Sequence, residues 1–174
     1  MVTLLLVMHV RCLPKKLACA LRFCGFCRTH PVEHPNKPGK TRVVFDAAAE
    51  VNGISLNSTL ITGPDLLNSL IGVLIRFRSG RIAVAADVEA YYHQVFVPPE
   101  DASSLQFYWT DNIHSDDEKD IYSMQMLVHI FGAKDSANCA IYALQRTARD
   151  NYRDFDALTY ETILKSFYMV PIYG

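Results

Sequence analysis

Ala83-Val84-Ala85-Ala86-Asp87-Val88-Glu89-Ala90-Tyr91-Tyr92-His93-Gln94-Val95 is the stretch that decides how this chain reads. Residues 81–88 contain the continuous apolar run 82–86 and predict a buried strand. One carboxylate, Asp87, closes it. An Asp at the end of a buried strand is well placed to hold a divalent cation for phosphoryl transfer. The plainer reading of a lone Asp there is a turn or helix cap. Tyr91 and Tyr92 are shaped to stack under a sugar or base, although paired aromatics also serve as core. No metal-ligand spacing accompanies His93.

Working outward, residues 41–46 have a β-branched centre, Val43-Val44, and predict a second strand. Residues 30–40 before it are rich in Pro, Gly and Lys and predict an extended loop. Residues 53–63 are turn-rich. Residues 64–78 place Leu66, Leu67, Leu70, Val73, Leu74 and Phe77 on one face at helical spacing, with Pro64 and Asp65 at the start. Downstream, 98–104 predicts a turn or short helix. Residues 105–110 and 121–128 predict a strand pair around the acidic loop 111–120. Residues 135–151 predict a capped helix with Ala140, Ala143, Leu144 and Thr147 on one face. A shorter helix over 156–165 and a closing strand over 167–170 follow. Helices and strands do not alternate regularly, so the expected class is α+β, an antiparallel sheet packed with helices.

At 174 residues, half of them hydrophobic and a fifth charged, the chain has enough apolar surface for a core as one domain or part of one. Its net charge of -1 hides an uneven split. Residues 1–81 carry 11 Lys/Arg against 4 Asp/Glu, and residues 82–174 carry 6 against 14. This is either a chance division of solvated faces or a basic half for phosphates beside an acidic half for metal. The 5 cysteines are an odd number, with Cys12, Cys19, Cys24 and Cys27 crowded early and Cys139 apart. That spacing is unlike a secreted disulfide framework and predicts reduced thiols in an intracellular, cytoplasmic setting. Residues 1–10 are apolar but too short to span a membrane, and no charged segment precedes them as in a signal peptide. No membrane partner is expected.

Three further constellations carry chemistry. Lys37-Pro38-Gly39-Lys40-Thr41-Arg42 sets three cations around a Gly turn, with Arg42 as a multi-donor clamp and Lys40 as a point charge for a triphosphate. Its plainer reading is a solvated loop, and it is not a P-loop. Phe131-Gly132 stands just ahead of a helix, where backbone approaches a ligand or simply turns. Cys24, Cys27, His30 and His34 are zinc-type ligands, but the gap between Cys27 and His30 is shorter than in the usual fingers.

Read in order, these words resemble the reverse transcriptase of BEL/Pao-type LTR retrotransposons. The resemblance runs from His30-Pro31-Val32 through Lys37-Pro38-Gly39-Lys40-Thr41-Arg42-Val43-Val44-Phe45-Asp46 and Ser55-Leu56-Asn57. It continues with Gly63-Pro64-Asp65-Leu66-Leu67-Asn68-Ser69-Leu70, Ala86-Asp87-Val88-Glu89-Ala90, His93-Gln94-Val95 and His129-Ile130-Phe131-Gly132-Ala133. It covers most of residues 30–170 and implies a truncated fingers-and-palm domain over 29–174, behind an unmatched leader over 1–28. Under it Asp87 is the first catalytic carboxylate and binds metal with the Val88 backbone. Tyr92 is the gate against a ribose 2′-OH. Lys40 and Arg42 are fingertip cations, and Phe131 and Gly132 line the nucleotide pocket. The implied cofactor is Mg²⁺ or Mn²⁺, and the implied partners are an RNA/DNA template-primer, dNTP and the remainder of a polyprotein. One departure dominates. Where the family carries Tyr-x-Asp-Asp, Tyr168-Met169 is followed by Val170-Pro171, and neither side chain ligates a cation. The expectation is therefore an RNA-directed DNA polymerase fragment inactive as written, a pseudoenzyme. The other expectations are a non-catalytic nucleic-acid- or nucleotide-binding remnant and a relic without a role.

Overall fold

The computed structural model describes residues 10–12, 27–34, 37–110 and 120–169. Strand β1, Val10–Cys12, is followed by β2, Arg28–His34, and β3, Lys37–Asp46. Helices α1, Leu56–Thr59, and α2, Leu70–Ser79, come next. Two 3-10 turns, Tyr91–Gln94 and Ala102–Ser104, lead into strands β4, Gln106–Thr110, and β5, Ile121–Met126. Helices α3, Ser136–Asp150, and α4, Ala157–Lys165, complete the described elements.

The strands form two antiparallel sheets, β1-β5-β4 and β2-β3, which with the helices make a mixed α and β fold. Aromatic side chains suit the pleated pairing of β4 with β5, where Trp109 faces Tyr122 and Phe107 faces Met124. Beyond β5 the pairing persists as a Phe96–Val128 bridge, with Val97 N–H donating to Leu127 O at 2.9 Å and His129 N–H to Val95 O at 3.0 Å. Phe45 of β3 and Phe107 of β4 meet edge to face at 5.2 Å, joining the sheets over a core that includes Met126, Val128 and Ile130.

Several expectations change here. Residues 30–34 and 37–40 are not a loop but strand, parts of a ribbon with Arg28 opposite Asp46 and Val32 opposite Arg42. Each strand of a two-stranded ribbon has a free side, so proline is tolerated there. Within the leader, β1 joins the main sheet, with Val10 opposite Met126. The helix predicted from residue 64 begins only at Leu70, because Asp65 Oδ1 accepts from Leu67 N–H at 3.0 Å and holds that segment in a turn. Phe167, Tyr168 and Met169 belong to no strand, and Val170 lies outside the described residues.

The largest correction concerns residues 81–88. They join no sheet, and Ile82 and Val84 are 85% and 80% exposed. An apolar run is a buried strand only if neighbours take up its backbone groups and side chains. Among the described residues none does so for 81–87, and only Val88 is half-buried. No described helix is long and apolar enough to cross a membrane.

Candidate functional site

A cleft of about 500 Å³ opens between the segment around α1 and the turn that enters α3. Its lining includes Asn57, Asp65, Tyr92, Gly132, Lys134 and Asn138. Two asparagines strap its walls together. Asn57 Nδ2 donates to Gly132 O at 3.0 Å, and its Oδ1 accepts from Lys134 N–H at 2.8 Å. Asn138 Nδ2 donates to Thr62 O at 2.6 Å. The Ser55 capping box starts α1 and so sets where Asn57 points.

Gly132 has a φ of +95°, and a Cβ there would stand 3.0 Å from Phe45 O. The close approach that makes glycine necessary is thus to the protein's own β3 backbone. Tyr92 is buried in the 3-10 turn after Ala90, whose φ of 51° puts a non-glycine residue in the left-handed region. Tyr91 OH donates to Ala140 O at 3.0 Å and ties that turn to α3. The Tyr92 ring stands edge-on to Phe131 at 4.7 Å, and its OH lies 3.1 Å from Met169 Sδ. Burial raises the Tyr92 pKa, and burial with Tyr92 beside it pushes Tyr91 up to about 12. Both phenols are neutral donors at ordinary pH.

The residues singled out from sequence are therefore divided. Tyr92, Phe131 and Gly132 come together from separate segments, Tyr92 and Gly132 in the cleft lining itself. Arg42 is exposed on β3 and does not line the cleft. Lys40 is on the same strand, and its side chain lies outside the described residues. Asp87 is exposed and Val88 half-buried, and neither lines the cleft. Asn57 and Asn138 had no assigned role in the sequence. Their partners are 75 and 76 residues away, and no local spacing signals such bonds.

The zinc reading near the N-terminus falls partly outside the described residues. Cys27 is in the core, and burial, with the Asp46 charge second, pushes its thiol up to about 11. His30 is exposed, while Cys24 and the His34 side chain lie outside the described residues. The one group of three metal-ligating types among the described residues is elsewhere: His129, Asp135 and Cys139, whose ligand atoms lie within 4.8 Å of one another. Burial lowers the His129 pKa against the opposing pull of Asp135, and burial followed by Asp135 raises that of Cys139.

No family model, curated protein or solved structure matches this chain.

Proposed function

We propose that this chain is a fingers-palm fragment of a BEL/Pao-type reverse transcriptase, without polymerase activity as written. The observation that carries the reading is the convergence of Tyr92, Phe131, Gly132 and Met169 from three separate segments. The resemblance assigns Tyr92, Phe131 and Gly132 to a nucleotide pocket and makes Tyr168-Met169 the stem of the Tyr-x-Asp-Asp motif. An aromatic pair beside a glycine turn gives a base or sugar an apolar wall, with Lys134 and turn amides for polar contacts.

The chemistry stops short of catalysis. Phosphoryl transfer by two Mg²⁺ or Mn²⁺ ions needs several carboxylate oxygens converging on one place. Asp87 belongs to no such group among the described residues, and Val170-Pro171 supply no further oxygen from a side chain. Among the described residues, the carboxylates that such a metal pair needs do not converge on Asp87. What this reading leaves is binding: the β2-β3 ribbon carries exposed Arg28 and Arg42, with Lys37 and Lys40 in β3.

Purified protein with primer-template and dNTP is expected to give no extension in Mg²⁺ or Mn²⁺. Extension abolished by Asp87→Asn would overturn the inactivity. RNA binding that weakens with salt and in Arg42→Ala is the expected residual function. Neither RNA nor dNTP binding at low salt would remove the reading altogether.

A further inference from the structure

We propose that His129, Asp135 and Cys139 form a binding site for a zinc-class divalent ion, which staples the turn carrying Phe131-Gly132 to the start of α3. None of the three lines the cleft, so this site is separate from the nucleotide reading and stands if that reading falls.

The sequence around the site explains how the ligands meet. His129 is buried where the chain leaves its bridge with Val95–Val97. Residues 130–134 then turn, and Asp135 and Cys139 follow one helical turn apart on one face of α3. Cys139 N–H donates to Asp135 O at 3.0 Å, which fixes that spacing.

Asp135 occupies the N-cap position of α3, yet its side chain makes no capping hydrogen bond. Its carboxylate turns instead towards the imidazole, with Oδ2 3.8 Å from His129 Nδ1. That separation is too long for a hydrogen bond. The other oxygen, Oδ1, is sealed from solvent without a hydrogen-bond partner among the described residues. An Asp at an N-cap ordinarily gains from accepting backbone N–H groups. One that forgoes this and buries an unpartnered oxygen leaves a cost that a bound cation would offset.

The distances suit zinc. In a tetrahedral site with bonds of about 2.0–2.3 Å, neighbouring ligand atoms stand roughly 3.3–3.8 Å apart. The Asp–His separation of 3.8 Å lies at the edge of that range, and any pair as far apart as the group's 4.8 Å limit would have to draw closer on binding. Imidazole, thiolate and carboxylate together select zinc or cobalt over Mg²⁺ or Ca²⁺, which take oxygen shells. Three protein ligands leave a fourth position for water. Ser136 Oγ is hydrogen-bonded to His129 Nδ1 at 3.3 Å, and an ion bound at that nitrogen would replace this bond. Asp135 and Cys139 are only half-buried, which gives an ion a way in.

The full chain titrated with Co²⁺ should develop a near-ultraviolet thiolate-to-metal band, and Zn²⁺ should displace it and raise the melting temperature. Cys139→Ser should abolish the band and weaken Zn²⁺ by about tenfold or more, since even supporting groups around a metal are worth that much. Asp135→Asn nearly keeps the shape of the side chain. It should retain the band but weaken Zn²⁺, so the proposal stays testable if Cys139→Ser fails to fold. Absence of the band in the unaltered chain would overturn the site. So would a band that survives Cys139→Ser and disappears in Cys24→Ser, or Zn²⁺ affinity unchanged in both variants.

Discussion

Two apolar regions of this molecule meet opposite fates. Around β4 and β5, Phe107, Met126, Val128 and Ile130 are sealed beneath Phe45 of the ribbon. Across α2 and residues 81–88, side chains of the same kind stay open: Ile71 is 71% exposed, and Leu74, Ile75 and Phe77 are exposed with it. Polar bonds nonetheless hold the second region in place. Asn68 Nδ2 donates to Leu164 O at 3.0 Å and Phe167 O at 2.9 Å, and the Arg76 guanidinium donates to Lys165 O. Position and burial are therefore separate achievements. A helix can be strapped at its ends by side-chain hydrogen bonds while its apolar face waits for a cover.

The sharpest break of this contrast is Met126→Ala. Met126 is fully buried, and its loss should cost about 2–5 kcal/mol in urea unfolding. A loss below about 1 kcal/mol would mean that this core is no better packed than α2. Next comes Gly132→Ala, which meets both a positive φ and the Phe45 carbonyl and should cost about 1–3 kcal/mol. Asn57→Ala leaves Gly132 O and Lys134 N–H without their partner and should cost about 1–2 kcal/mol. A neutral result there would mean that the cleft walls are held by something other than this strap.

A smaller effect is expected from His93. Burial lowers its pKa below the ordinary 6.5, so the unfolded chain takes up the proton first as pH falls. The stability due to neutral His93 is present above about pH 6.5 and is lost on acidification through its lower folded-state pKa. His93→Gln should make the decline in melting temperature between pH 7 and 5 shallower. Smallest of all, Ile82→Ser and Val84→Ser should leave stability within about 0.5 kcal/mol while reducing self-association in sedimentation. A cost of about 1 kcal/mol or more would show that the open stretch is covered in solution.

The strand pair, the ribbon's second strand and helices α3 and α4 were legible because each carries its signal locally. β-branched and aromatic alternation marks the strands, and Asp156 caps α4 by accepting from Thr159 N–H at 2.7 Å. The candidate site was partly legible. Tyr92, Phe131 and Gly132 were singled out, while Asn57 and Asn138 were not, because their bonds join residues far apart in sequence. The start of α2 shows why boundaries are harder: Asp65 offers a local turn that competes with the helix.

By itself, the sequence determined the mixture of helices and strands and the uneven charge. Periodicity, composition and side-chain chemistry are properties of a residue and its near neighbours. Only the tertiary structure decided that residues 81–88 stay open and that Gly132 serves the Phe45 backbone. It alone set Asp135 against His129 instead of capping α3. Burial, close approach and ligand geometry depend on which distant segments arrive, and no local pattern specifies those arrivals.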